Sequence, residues 1–353
     1  MSDPYPSAPP PAPVSQTAAA TRRGALPPGA LLLAPMVELS HRPLRCLIER
    51  WGGCDLYTTE MASAGAWLAN AAYEKWFLDT LPAPDRTVIQ FYATNTQDIA
   101  SAAARLRDEL AGQDLPLAGV DINFGCSAPH IEKSGGGVAW MRQTEAAGRL
   151  VAITRAALPA TPLSAKLRIG YEEDYGKLLD YCRVLVDAGL DRLTLHPRLK
   201  SEKFRRKSRW QHVAGLTRDL SIPVVGNGDI HSPKDYRKAM DSCQPAGIML
   251  GREAIRRPWV FALIRGQALD PAFSLRVNLE ETALAMLDLL RQWLPPVFHV
   301  SRARRFFQYF SENLAFGHHL RFRIQNADSL DTMAQLVKTY FTEVPQERIR
   351  LEF

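Results

Sequence analysis

The residues of this chain that could do chemistry sit at the ends of short apolar runs. Cys126 follows GVDIN (119–123), which ends in Asn123, and Lys166 lies in LSAKL (163–167). Gln90 lies in TVIQF (87–91), and His196 closes RLTLH (192–196). GNGDI (226–230) carries Asn227, Gly228 and Asp229, and MLGRE (249–253) carries Gly251 and Arg252. Met36 and Glu60 follow LLLAP (31–35) and DLYTT (55–59). Small residues that bare backbone N–H groups beside a permanent guanidinium suit a phosphate, so a phosphate-bearing cofactor is expected at GNGDI and MLGRE. The ammonium of Lys166 and the amide of Gln90 could hydrogen-bond the polar edge of a flavin isoalloxazine and stabilise the anion formed on its reduction. His196 could touch phosphate or ring, or simply close its strand. The five cysteines, Cys46, Cys54, Cys126, Cys182 and Cys243, are an odd number without a CxxC pair, which argues against a disulfide framework, a zinc ribbon or an iron–sulfur cluster. Any thiol chemistry is done singly.

Such residues need elements that bring them together. Eight apolar runs of strand length, the six above with PVVGN (223–227) and GIMLG (247–251), alternate with segments of helical spacing. Those segments are Pro43 to Trp51, Gln97 to Leu110, Thr144 to Ala157, Tyr175 to Ala188 and Pro233 to Met240, with Gly52 and Gly189 where a helix stop is wanted. Eight β/α units predict an α/β fold, a closed (β/α)8 TIM barrel; an open doubly wound sheet has fewer strands and an early GxGxxG turn, which this chain lacks. Barrel sites are built at the C-terminal strand ends. Polar residues at those ends in seven of the eight units predict a pocket lined from every side.

The barrel is expected over residues 31–265, behind a disordered Pro/Ala-rich tail at 1–30 that holds eight of the 25 prolines. After Ile264 the strands are expected to stop. Leu279, Ala283, Leu287, Leu290 and Leu294 form one helical stripe and Leu330, Met333, Val337 and Phe341 another, predicting a small C-terminal helical bundle domain at 275–353. With 46% hydrophobic and 23% charged residues the composition is globular, and neither a membrane-spanning run nor a secretory segment is visible, so a cytoplasmic protein is expected. The net charge of +6 is concentrated in Arg198 to Arg209, RLKSEKFRRKSR, where seven cations face Glu202 alone. Outside that run, 36 basic residues meet 36 acidic ones. Such a run is either a solvated loop or a polyanion site.

LLLAPM (31–36), DINFGC (121–126), KLRIG (166–170), LTLHPR (193–198), VVGNGDI (224–230) and IMLGRE (248–253), in this order and at these separations, resemble the flavin-dependent tRNA-dihydrouridine synthases. The likeness covers about residues 30 to 265, and the helical tail is more loosely similar to that family's C-terminal RNA-binding domain. Other FMN barrels share several of these elements; NxGC is the more specific marker. The resemblance implies an enzyme that reduces the C5–C6 double bond of a uridine in tRNA, using FMN reduced by NADPH. It makes Cys126 the general acid that protonates C5 while the reduced flavin delivers hydride to C6. A thiol with a pKa near 8.5 holds its proton at neutral pH and can still release it to a developing enolate. The resemblance further places FMN against Met36, Gln90, Lys166, His196, Asn227, Gly228, Asp229, Gly251 and Arg252, with Asn123 near flavin and uracil.

A folded polyanion as substrate gives the basic run a purpose, because the target base must leave its stack to reach a flavin in the barrel. Arg198, Lys203, Arg205 and Arg206 are expected to contact RNA at the rim. Arg304 and Arg305 are expected to do so from the helical domain, within a segment, Arg302 to Tyr309, whose Phe306 and Phe307 could stack on bases and which His318, His319, Arg321 and Arg323 follow. The alternative is a helix with its aromatics inward. The expected partners are thus tRNA and NADPH, with no membrane and no metal, and the chain is expected to act as a monomer. Where the family usually has proline straight after the cysteine this chain has Ser127, Ala128, Pro129 and His130, and Pro197, Leu199 and Glu202 depart from its pattern after the sixth strand. Ser134 and Gly135 to Gly137 are expected to form a flexible loop that closes over substrate. Three other readings stay open: an FMN barrel reductase of a small molecule, which leaves the basic run without a role; a synthase acting on ribosomal RNA; and a non-catalytic RNA-binding relative.

Overall fold

A computed structural model describes residues 23–353, which fall into two compact units. The first contains eight parallel strands: β1 (Ala30–Leu33), β2 (Tyr57–Thr58), β3 (Thr87–Tyr92), β4 (Val120–Phe124), β5 (Leu163–Gly170), β6 (Arg192–Leu199), β7 (Val224–Asn227) and β8 (Gly247–Leu250). Each pairs with its sequence neighbour from β3 to β8, β2 pairs with β3, and β8 pairs with β1. A parallel bridge between Leu32 and Leu56 closes the ring. This is a TIM barrel. A further short strand, Ala62–Ser63, also pairs with β3.

The strands form because their outward positions, such as Ile122, Ala165, Leu167, Leu193 and Leu195, are buried with residues of the surrounding helices, Ala103, Leu106, Leu150, Leu178, Leu185 and Leu216 among them. Each fully buried leucine contributes about 1.5–3 kcal/mol. The helices start on good caps: Asp174 accepts from the Lys177 amide at 3.0 Å, and Ser232, ahead of Pro233, accepts from the Asp235 amide at 3.2 Å. The helix Tyr175–Asp187 stops at Gly189, whose φ of +103° a side chain would resist. The helix Trp210–Asp219 escapes the sequence pattern, since it begins directly after the basic run and carries Gly215 at its centre.

Residues 1–22 of the expected tail lie outside the described residues. The remaining part is already packed: the Gly24 carbonyl accepts from Arg192 at 3.3 Å and the Gly29 carbonyl from Tyr236 at 2.7 Å.

The second unit joins residues 38–54 to 252–353. Its long helices, Leu279–Trp293, Pro296–Phe310, Gly317–Asn326 and Leu330–Glu343, bury Leu279, Ala283, Leu287 and Leu290 together with Met333, Val337 and Phe341. The unit is not purely helical. β9 (Leu275–Asn278) pairs antiparallel with β10 (Ile349–Glu352), a contact between segments so far apart in the chain that no local pattern announces it. No described helix is long and apolar enough to cross a membrane.

Candidate active site

Strand register sets the site. Gln90 is the neighbour of Asp121 and Asp121 of Ser164; above them Asn123 neighbours Lys166, and above those Arg168 neighbours His196. Side chains two residues apart on a strand share a face, so DIN and KLR each send two polar groups into the barrel.

A directed chain of hydrogen bonds runs up this interior. The Asp121 carboxylate only accepts, taking a bond from Gln90 Nε2 at 2.7 Å and one from Ser164 Oγ at 2.5 Å. Gln90 must then turn Oε1 toward Asn123, whose Nδ2 donates to it at 2.9 Å. Asn123 is left with Oδ1 facing the next turn of chain, where the amides of Gly125 and Cys126 donate at 3.2 and 2.8 Å. The carboxylate at the bottom thereby fixes the backbone that carries the thiol at the top. Burial pushes the Asp121 carboxyl above its usual range, against the donors from Gln90 and Ser164.

Gly137 finishes the cysteine's mount. Its φ is +57°, the Cys126 carbonyl accepts from Val138 at 2.9 Å, and a Cβ on Gly137 would stand 2.5 Å from that carbonyl oxygen. The glycine run expected as a closing flap is required here for close approach. Burial pushes the Cys126 thiol up, against the Ala128 amide and the charges of Arg168 and Lys166. Lys166 makes no hydrogen bond with a described residue, and burial together with Arg168 pushes its ammonium down to about 8.

Arg168, which sequence reasoning passed over, donates Nε to the Gly125 carbonyl at 3.1 Å and Nη1 to the Lys203 carbonyl at 3.2 Å. Burial, then Arg198, brings it down to about 10. Both Arg168 and Asp121 could have been found from the period-two alternation around Lys166 and Asn123.

Other site residues serve each other. Arg198 Nη1 donates to His196 Nε2 at 2.8 Å, which fixes the His196 proton on Nδ1 because a guanidinium cannot accept. Arg198 also pairs with Asp229 and donates to the Arg206 carbonyl at 2.5 Å, and Asp229 accepts from the Ser208 amide at 2.7 Å. Burial alone would raise Asp229, but Ser208 and Arg198 outweigh it and hold the carboxyl below its usual range. Gly228, at φ +118°, leaves a Cβ only 2.4 Å from Ser208 Oγ. Asn227 donates to the Met249 carbonyl at 2.7 Å, and Met36 lies against the spot a Gly251 side chain would take. Glu60 is buried, and Thr59 donates to its carbonyl at 2.9 Å. Half-buried Arg252 opens the helix Arg252–Arg256.

The structure corrects several expectations. Gln90 is 1% exposed, and both ends of its amide are engaged, one by Asp121 and the other by Asn123, which it orients. Arg198, 2% exposed, stands as an internal strut, and the Asp229 carboxylate pairs with it. In the helical unit Phe306 and Phe307 are buried against each other and Phe310. Arg304 donates to the Ala327 carbonyl at 2.8 Å, and Arg302 pairs with Glu38 at 3.0 Å. Lys203, Arg205 and Arg206 are exposed, Arg305 keeps a 45% exposed side chain, and His318, His319 and Arg323 are exposed with Arg321 half-buried.

A model of the dihydrouridine synthase (Dus) family matches residues 32–344. The chain belongs to the dihydrouridine synthase family. It is 30% identical over 236 residues to the probable tRNA-dihydrouridine synthase of Aquifex aeolicus, covering 66% of this chain and 72% of that one. To tRNA-dihydrouridine synthase B of Xanthomonas axonopodis pv. citri it is 27% identical over 316 residues, 88% and 92% of the two chains. To the tRNA-dihydrouridine(16) synthase of Aquipseudomonas alcaligenes it is 31% identical over 235 residues, 65% and 72%. Among solved structures, the complex of 2-naphthoyl-CoA reductase superposes with a TM-score of 0.50 at 11% identity over 71% of this chain and 52% of that one, a likeness of fold alone. This dihydrouridine synthase carries its cysteine after NFG, its KxR pair and its GNGD turn all in the barrel unit.

Proposed function

We propose that this dihydrouridine synthase is an FMN-dependent, NADPH-driven oxidoreductase that reduces the C5–C6 double bond of a uridine in tRNA. The observation that carries the reading is Cys126 on a mount fixed from Asp121, with two cations beside it, in a chain whose family match runs through both units. In this reading residues 31–265 do the chemistry and 275–353 help to hold RNA.

The residues present fit a flavin. The half-buried ammonium of Lys166, which makes no hydrogen bond with a described residue, suits an electron-rich ring edge, and His196, whose Nε2 accepts from Arg198, stands on the neighbouring strand. Gly228, Gly251 and Arg252 would hold the phosphate, with Met36 and Asn227 lining the ring. When bound, the flavin supplies the hydride for C6. Cys126 holds a proton at Sγ, kept there at neutral pH by burial, and releases it to C5. The positive charges of Lys166 and Arg168 stabilise the thiolate left behind, which then recovers a proton from solvent. Asn123 keeps Sγ in register through the backbone of Gly125 and Cys126. Lys203, Arg205, Arg206 and Arg305 would meet phosphates.

The purified protein is expected to be yellow and to be bleached by NADPH. Cys126→Ala should still be bleached at a near-normal rate while dihydrouridine in tRNA, measured by mass spectrometry, falls by roughly 10²–10⁴. A colourless protein that takes up no FMN sinks the reading, and loss of both half-reactions makes the cysteine structural.

A further inference from the structure

Within the basic run one aromatic stands out. Phe204 is 55% exposed, although neighbouring loop residues are tightly held. Lys203 before it sits at φ +52°, a left-handed conformation that costs a lysine about 1 kcal/mol or more. The carbonyls on either side of the ring's residue are both clamped from below: that of Lys203 by Arg168 at 3.2 Å and that of Arg206 by Arg198 at 2.5 Å. Glu202 closes the loop from its other edge, accepting from the Leu199 amide at 3.0 Å and from Arg209 Nη1 at 2.7 Å. The ring centroid lies 6.0 Å from that of His196 and 5.6 Å from the Arg168 guanidinium carbon.

Three of the run's cations thus serve the loop or its neighbours: Arg198 pairs with Asp229, Arg209 with Glu202 and Glu173, and Lys200 with Glu132. The other four, Lys203, Arg205, Arg206 and Lys207, are exposed and form no ion pair with a described residue. They surround Phe204 in the chain. A half-exposed apolar ring on a held, strained backbone, flanked in the chain by cations that form no ion pair with a described residue, has the chemistry of a single-stranded nucleic-acid platform, in which a π-face meets a base and cations meet its phosphates.

We propose that Phe204 is a stacking platform for an unpaired base of the RNA substrate, placed beside His196 and Arg168 at the mouth of the barrel. This rests on the reading of the chain as a tRNA-modifying enzyme. The ring supplies sequence-tolerant affinity and orientation; the four cations supply the salt-dependent part of binding.

The test measures the affinity of the full chain for a fluorescein-labelled tRNA transcript across a salt series. Phe204→Ala and Phe204→Leu should each weaken binding roughly 5- to 100-fold with the salt slope unchanged, whereas Phe204→Trp should bind at least as well as the parent and its indole emission should be quenched by RNA. Because the ring is exposed, the Ala variant should keep the parental thermal midpoint, and an unaltered midpoint certifies its fold. Parental affinity in the Leu variant makes the ring a mere apolar surface and overturns the proposal, as does parental affinity in the Ala variant. A defect confined to reduction by NADPH, with RNA affinity intact, assigns the ring to nicotinamide and also overturns it. If the parent protein itself binds no tRNA, it is the functional reading that has failed, and the platform falls with it.

Discussion

Two segments of this molecule share a composition of arginines and phenylalanines and use it in opposite ways. In the helix Pro296–Phe310, Phe306, Phe307 and Phe310 recur at three- and four-residue spacing and therefore share one face, where they pack edge to face and stacked with centroids 5.0–6.1 Å apart. Its Arg302 and Arg304 bend back to Glu38 and the Ala327 carbonyl. In the loop after β6 the backbone has no helical ladder, so buried arginines from the neighbouring strands hold the backbone and the side chains between them turn outward. Composition marks both as candidate RNA-binding segments; periodicity makes one a core.

The comparison breaks first at the core. Phe306→Ala should cost about 3–5 kcal/mol, seen as a large fall in the thermal or urea midpoint, with tRNA affinity retained by the protein that stays folded. If stability is untouched and RNA affinity drops, the helix presents its aromatics after all.

Arg198→Met should come next. It strands Asp229 and releases the Arg206 carbonyl, and breaking such a pair costs about 3 kcal/mol. Tight RNA binding should weaken along with stability, since the loop loses a clamp. A variant of parental stability would mean that Arg198 does not hold the loop.

Neutralising Lys203, Arg205, Arg206 and Lys207 to Gln together should leave the melting midpoint nearly unchanged, because none of the four pairs with a described residue. The effect belongs to RNA: the slope of log K against log salt should flatten by roughly 0.7–0.9 for each phosphate no longer neutralised. An unaltered slope returns the run to a solvated loop.

The smallest effect is one of pH. Glu202 is held at about 2 by its bond from Arg209, below its ordinary 4.5. A depressed carboxylate contributes stability above 4.5 that is lost as pH falls toward 2. Glu202→Gln should therefore lower stability at neutral pH and flatten the acid limb between those values in an acid-unfolding series; a limb of the same steepness places the titration elsewhere.

Much of the barrel was legible because it is local. Apolar runs such as LSAKL and RLTLH, separated by amphipathic helices, announce parallel strands. Four structural features were not. The helix Trp210–Asp219 is hidden by its glycine and the basic run directly before it, the β9–β10 pair by its separation, the tail's boundary by hydrogen bonds from Arg192 and Tyr236, and the packing of the glycine run by an approach to Cys126 that only the fold creates.

By itself the sequence determined which residues lie on or just past the strands, because strand and helix periods are properties of neighbouring residues: Asn123, Lys166 and His196 stand on β4, β5 and β6, the last two within strands that run on beyond them, and Cys126 lies two residues past β4. What each side chain does when it arrives was decided only in three dimensions. Gln90 became an orienting amide because register put Asp121 on one side of it and Asn123 on the other. Arg198 turned inward because Asp229, on a different strand end, could neutralise it, while Arg206 forms no ion pair with a described residue and stays exposed. A guanidinium's environment depends on partners tens of residues away, and no local pattern carries that distance.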